Sequence, residues 1–188
     1  MDQFMSVIDA LLKRNSHSRL SAPGPQDDEL HLILQAGLRA PDHGRLRPWR
    51  FVVVAGDARQ RLGELFAESL ALRHPQADDA QLTKVRASPL RAPLIIAGLL
   101  NYQQHPKVPR GEQVAAVATA LYGMSLASES IGYATMWRTG AMARDPIVIS
   151  ALGGAPADEV IGFLYVGSPE GPRKALPDEC SNNFISHF

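Results

Sequence analysis

Residues 112–131 read "EQVAAVATALYGMSLASESI", the stretch of sequence that decides the fold. Alanine has the highest intrinsic preference for the helix, and small side chains let neighbouring helices approach closely. We therefore predict a long helix at the centre of the protein. The residues that follow, 133–140, read "YATMWRTG" and predict a short strand that runs into a loop.

Other predicted helices and strands surround this pair. Helices are expected where apolar residues recur at every third or fourth position, and strands where short apolar runs are bounded by glycine or polar residues. The strand at residues 49–56 is expected to be buried. The tail from residue 168 carries three prolines and predicts an extended arm over a surface. The remaining predictions are helices at residues 4–12, 30–38, 57–74, 78–88 and 145–153, and strands at 92–102 and 159–167.

Composition narrows the class of protein. The 188 residues are 45% apolar and 20% charged, which is typical of one globular domain, here covering residues 1–188. Nineteen basic residues balance nineteen acidic ones, so we expect no nucleic-acid partner and no membrane partner. Cys180 is the only cysteine and the amino terminus has no signal-peptide pattern, so we expect a cytoplasmic location.

Several common functional motifs are absent from the sequence. It contains no glycine-rich dinucleotide fingerprint, no P-loop, and no zinc-protease or paired-cysteine motif. The six histidines are scattered without a pair at ligand spacing, so no metal site is expected.

Two polar clusters could each bind an anion. Residues 13–19 read "KRNSHSR", and their basic residues could either complement the negative end of a helix dipole or form an oxyanion cradle with Arg14, Asn15 and Ser16. Residues 39–51 read "RAPDHGRLRPWRF" and hold four arginines. These could be solvated loop residues, but their mutual repulsion favours an anion or several carboxylates nearby.

A third cluster, "MWRTG" at residues 136–140, follows the predicted central helix. It could be a core aromatic beside a surface arginine. It could equally border a ligand, because the ends of strands are where open sheets expose binding crevices.

Taken together, these motifs resemble the FMN-dependent nitroreductase family, especially its short single-domain bacterial branch. The resemblance rests on the order of the motifs along nearly the whole chain: "RNSHSRL", "RAPDHGRLRPWRFVVV", "RAPLIIAG", the small-residue helix, "WRTG" and "IGFLYVG". It implies an α+β fold with a mixed sheet sandwiched between helices. It also implies a homodimer built around the long central helix, with an FMN site in each of two clefts between the subunits.

The resemblance assigns cofactor contacts to particular residues. By position in the motifs, the segment Arg14, Asn15 and Ser16 would grip FMN, and the loop residues Arg39 and His43 would contact the flavin. The segment Trp137, Arg138 and Thr139 would lie along the flavin, and residues 127–132 are a weaker match for a nicotinamide contact.

Part of the sequence departs from the family pattern. The family's commoner loop has small polar residues where this chain has Asp42, His43, Arg45 and Arg47, which leaves the roles of those side chains open. The basic carboxyl-terminal phosphate motif of larger members is also missing, and Arg173 or Lys174 would have to replace it.

The activity implied by the resemblance is electron transfer from NADH or NADPH to nitroaromatic, quinone or flavin-type acceptors, by a ping-pong mechanism and without a catalytic side chain. Arg138 is the first candidate for tuning the flavin potential. Two alternatives come from the residues alone. One is a cofactor-free hydrolase or transferase with His43 as general base, and the other is a non-catalytic carrier of flavin or nucleotide.

Overall fold

The computed structural model describes residues 6–172, 174–177 and 179–188, so the first two residues of the helix predicted over residues 4–12 and the prediction for Arg173 lie outside the described residues. The helices are α1 (Val7–Lys13), α2 (Asp27–Gly37), α3 (Ala58–Arg73), α4 (Asp79–Arg86), α5 (Arg110–Ser130) and α6 (Pro146–Ala151). The strands are β1 (Leu20–Ser21), β2 (Trp49–Ala55), β3 (Leu94–Leu100), β4 (Ala134–Arg138) and β5 (Glu159–Pro169).

The sheet is organised around β3 and β5. Strand β3 lies between β2 and β5, and β5 also pairs with β4 and β1. All four of these ladders are antiparallel. An isolated parallel bridge between Ser16 and Thr135 adds the opposite orientation at β4, so the sheet is mixed, as predicted.

Helices cover both faces of the sheet because β3 presents apolar side chains alternately to the two faces. Leu94 and Ile96 pack with α2 and α5, whereas Ile95, Ala97 and Leu99 belong to the core formed with α3 and α6. Every residue of β3 is buried. The predicted α+β arrangement of a sheet sandwiched between helices is therefore confirmed.

The central helix prediction is also confirmed, since α5 spans the predicted stretch. Its small residues allow α2 to approach closely: a β-carbon placed on Gly37 would lie 2.4 Å from Met124 Cε and 3.0 Å from the Ala120 carbonyl oxygen. A larger residue at position 37 would therefore push the two helices apart.

Residues 49–56 contain a strand, as predicted, but the prediction that this strand is buried was wrong. Strand β2 pairs with β3 on one side, and within the described residues no strand covers its other edge. Val54 is consequently the one buried residue of β2, and Val53 is 38% exposed. Strand β1 was missed because it is two residues long and carries no apolar alternation.

The first helix leaves its apolar side chains uncovered. Val7, Ile8 and Leu12 are each at least 64% exposed, and Ala10 is the buried residue of α1. An uncovered apolar face of this kind is typical of an interaction surface. Among the described residues, none of the helices combines the length and the apolar composition of a membrane-spanning segment.

Candidate functional site

The segment Arg14–Ser16 lies along the outer edge of β4. Helix α1 ends immediately before it. Ser16 forms the parallel bridge with Thr135, and the His17 backbone N–H donates to the Thr135 carbonyl oxygen at 3.0 Å. Thr135 is fixed in turn to α5, because its Oγ1 lies 2.6 Å from Ser125 Oγ. The sheet edge therefore holds the segment in a defined position.

This segment holds Arg14 and is tied to the backbone of a second basic residue, Lys174. The Asn15 side chain is 8% exposed, and its Nδ2 donates to the Lys174 carbonyl oxygen at 2.8 Å, so the tail backbone is tied to the segment. Arg14 Nη1 lies 3.4 Å from Ser16 Oγ. Across the described ranges, neither Arg14 nor Lys174 forms an ion pair with a carboxylate. The Arg14 guanidinium and the Ser16 hydroxyl are donors that suit a phosphate.

The end of β4 points its side chains to opposite faces of the sheet. Trp137 packs with the core on the α5 side, directly over Gly162, where a β-carbon would lie 2.1 Å from the indole Nε1. Arg138 extends to the α3 side, and its guanidinium carbon lies 5.4 Å from the centre of the Tyr165 ring. Thr139 is exposed, and Gly140 follows with φ of 80°, a conformation that favours glycine.

A cavity of about 410 Å³ opens on the α3 side, and its walls include Arg138, Thr139, Tyr165 and Ser88. Arg138 Nε is buried and has no hydrogen-bond partner among the described residues. Burial lowers the pKa of Arg138, and the positive charge of Arg91 lowers it further against the opposing influence of Tyr165. A buried donor without a partner favours a ligand that can accept a hydrogen bond there.

The arginine-rich loop lies against the start of α5. His43 Nδ1 forms a hydrogen bond with Glu112 Oε2, and the Arg47 backbone N–H donates to Asp42 Oδ2 at 2.7 Å. Arg45 and Arg47 have φ values of 54° and 50°, which strain non-glycine residues. Such strain tends to be kept at functional positions.

The loop's charges remain uncompensated. Arg39, Arg45 and Arg47 are exposed, and none of them forms an ion pair with a carboxylate in the described part of the chain. Arg50 donates instead to the Gly153 carbonyl oxygen at 2.6 Å. The loop therefore presents unpaired positive charge to solvent.

The two predicted groups of cofactor residues lie far apart within one chain. His43 is tied to α5 at Glu112, whereas the Ser16 segment is tied to α5 through Ser125. Thirteen residues of helix at about 1.5 Å each separate these two points by about 20 Å. The chain thus brings Arg14–Ser16 close to the β4 residues but places His43 elsewhere. Residues 127–132, the expected nicotinamide contact, form the end of α5 and the turn into β4.

Sequence reasoning missed a buried network around Asp145. Asp145 Oδ2 accepts from Ser69 Oγ at 2.5 Å and pairs with Arg73 Nε at 2.5 Å, and Oδ1 accepts from the Ile147 N–H at 2.8 Å. Burial is the largest influence and opposes ionisation, but the donors together lower the pKa of Asp145. The aspartate before Pro146 was a visible helix-start signal, whereas its partners on α3 had none.

Sequence reasoning also missed the neighbours of Arg138. Tyr165 and Ser88 come from distant parts of the chain, and Arg91 lies just before β3. Burial raises the pKa of Tyr165, while Arg138, Ser88 and Arg91 act in the opposite direction. No spacing in the sequence connects these residues.

Comparisons with known proteins agree with this fold. A model of the Nitroreductase family matches residues 11–168, and the chain belongs to that family. An Escherichia coli K12 relative, named "Putative NAD(P)H nitroreductase YdjA", is 37% identical over 166 residues, which cover 88% of this chain and 90% of the relative.

Solved structures share the fold at lower identity. A nitroreductase-like family protein from Bacillus cereus has a TM-score of 0.83 at 18% identity, covering 100% of this chain and 98% of its own. A Bacteroides fragilis nitroreductase with bound FMN has a TM-score of 0.74 at 22% identity, and the match covers 98% of this chain and 99% of the Bacteroides fragilis chain.

Proposed function

We propose that the chain is an FMN-dependent oxidoreductase that takes electrons from NADH or NADPH and passes them to nitroaromatic, quinone or flavin-type acceptors. The observation that carries this proposal is at the edge of β4, where Arg14 contacts the Ser16 hydroxyl and forms no ion pair with a carboxylate among the described residues, and where the backbone of Lys174 is tied to Asn15. The FMN bound to the Bacteroides fragilis neighbour and the NAD(P)H in the name of the YdjA relative support the same reading.

The proposed roles follow from the position and charge of each group. Arg14, Ser16 and Lys174 would hold the FMN phosphate, which carries about −1.5 to −2 charges. Asn15 would position them, because its side chain ties the tail to the segment. Trp137, Arg138 and Thr139 would border the ring, and Arg39 and His43 would contact it from a second chain.

The protein's own part in the reaction is binding and electrostatics. Bound FMN supplies the transfer of a hydride from the nicotinamide and of electrons to the acceptor. The chain therefore needs no nucleophile and no acid. Arg138 would favour negative charge near the ring, and the walls beside Thr139 would admit the two substrates in turn, which gives a ping-pong sequence.

We further propose that two copies form a homodimer with two shared FMN sites. The exposed apolar side chains of α1, among them Val7, Ile8 and Leu12, would be covered by the second copy. The distance of about 20 Å between the two groups of cofactor residues along α5 supports sharing, because residues this far apart could then act on different flavins.

The hydrolase alternative has weaker support. The bond to Glu112 would orient the His43 ring as a general base requires. However, within the described residues the His43 side chain makes this one hydrogen bond. Among those residues, it makes none with a serine hydroxyl or a cysteine thiol that could act as a nucleophile.

Flavin content tests the proposal. The purified chain should release about one FMN per chain on denaturation, and Arg14→Ala should weaken FMN binding about ten- to hundredfold, the effect of losing a charged hydrogen bond. Arg61→Ala is the matched control, because Arg61 is an exposed arginine of α3 outside the proposed site. Full FMN retention by Arg14→Ala through extensive dialysis would refute the phosphate grip. Failure of the unaltered chain to bind added FMN would refute the proposed class of enzyme.

A further inference from the structure

A second cavity adjoins the one that contains Arg138. It lies between the end of α3, helix α4 and the turn before β3, and its volume is about 1060 Å³. Leu70, Pro75 and Val85 supply apolar walls. Ser88 lines both this cavity and the smaller one beside Thr139, so a long ligand could occupy the two together.

Every charged side chain among the described lining residues of the second cavity is basic. Its lining includes Arg73, Lys84 and Arg91, and none of the described lining residues is acidic. Arg73 is neutralised by Asp145. Lys84 and Arg91 form no ion pair with any carboxylate in the described ranges.

Among the described residues, the Arg91 side chain makes one weak hydrogen bond. Its Nη2 lies 3.5 Å from the Ser18 carbonyl oxygen, at the outer limit of a hydrogen bond. Its positive charge also repels that of Arg138 in the adjoining cavity. Two uncompensated cations at an apolar cavity would attract a ligand with several negative charges and a flat apolar part.

We propose that this cavity receives the phosphate-bearing adenosine end of NADPH, and that Lys84 and Arg91 make the enzyme prefer NADPH to NADH. The inference rests on the proposed function, since the nicotinamide end would occupy the cavity beside Thr139. The 2′-phosphate that distinguishes NADPH adds about −1.5 to −2 charges and three acceptor oxygens. Leu70 and Val85 would contact the adenine ring.

Binding of 2′,5′-ADP and 5′-AMP to the flavin-loaded protein tests this inference by calorimetry without turnover. The unaltered protein should bind 2′,5′-ADP more tightly than 5′-AMP. Lys84→Gln and Arg91→Gln should each weaken 2′,5′-ADP binding about tenfold, as the loss of a charged hydrogen bond predicts, and should affect 5′-AMP less. In turnover, kcat/KM should fall for NADPH and stay nearly constant for NADH. Arg61→Gln, on the exposed part of α3, is the control and should change neither ligand.

The outcomes separate this inference from the proposed function. Equal binding of the two nucleotides by the unaltered protein would overturn the inference, as would 2′,5′-ADP binding that survives both substitutions. In either case, FMN that stays bound and is reduced by NADH would leave the proposed function standing. If Arg91→Gln fails to fold, Lys84→Gln carries the test, because Lys84 is exposed and makes no ion pair within the described residues.

Discussion

A mixed dimer of one Arg14→Ala chain and one His43→Ala chain distinguishes a shared flavin site from a site within one chain. Within a chain, His43 is held at Glu112 and the Ser16 segment at Ser125, about 20 Å apart along α5. If each flavin takes Arg14 from one chain and His43 from the other, both substitutions fall in one cleft of the mixed dimer. The second cleft is then intact.

The size of the effect follows from the lost contact at the phosphate. Arg14 is a charged donor, and removing such a contact costs about 1.5–3 kcal/mol, or about ten- to hundredfold in affinity. The Arg14→Ala homodimer should therefore lose FMN from both clefts on dialysis. In the mixed dimer, one cleft should retain the affinity of the unaltered protein.

The assay is co-expression of the two chains with different tags, followed by purification on both tags in sequence. We expect about one tightly bound FMN per mixed dimer and about half the activity of the unaltered dimer, as two-fold symmetry dictates. A mixed dimer that binds FMN no better than the two parent homodimers would show that the residues act from one chain or not at all.

Asp145→Ala should cost about 3 kcal/mol of folding stability in chemical denaturation, since it removes the buried carboxylate that accepts from Ser69 and pairs with Arg73; unchanged stability would contradict the network. Because the pKa of Asp145 is lowered by folding, its contribution is present above about pH 4 and lost below it, so the stability of this variant should depend less on pH in acid than that of the unaltered protein. Gly162→Ala should displace the Trp137 indole, which should lower stability by about 1–3 kcal/mol and change the tryptophan fluorescence. Gly111→Ala is the control: a β-carbon there meets nothing within 4 Å, so the fluorescence should stay unchanged. Double-reciprocal plots of initial rate against nicotinamide nucleotide concentration, taken at several acceptor concentrations, should be parallel. Intersecting lines without substrate inhibition would indicate a ternary complex instead of a ping-pong sequence.

Local patterns predicted the elements of this fold well. Strand β3 and helix α5 were visible because their signals, a short continuous apolar run and a long alanine-rich stretch, do not depend on the rest of the chain. The burial of β2 was mispredicted because its apolar residues suit an interior strand, and pairing order along a sheet is set by distant segments. The two residues of β1 are held by pairing with the end of β5 and have no periodicity of their own.

The candidate site was harder to predict than the fold. The motifs identified Arg14, Ser16 and Arg138 as polar groups that could bind a ligand. They could not show that Ser16 lies against Thr135, or which of the two faces of the sheet Arg138 meets, because both facts depend on how distant segments pack against the strand. Lys84 lies in no motif, and the "RAPLIIAG" motif that begins at Arg91 gave this arginine no ligand role. Only the packing of α4 near β3 gathers the two cations around one cavity.

Anaerobic titration of the purified, flavin-loaded protein with NADPH and with NADH measures the electron transfer itself. We expect the flavin absorbance to disappear with about one nicotinamide nucleotide consumed per bound FMN, since each hydride carries both electrons that the cofactor accepts. Adding 4-nitrobenzoate or a quinone should restore the absorbance. A flavin that stays oxidised with both nucleotides would show a carrier and not an oxidoreductase.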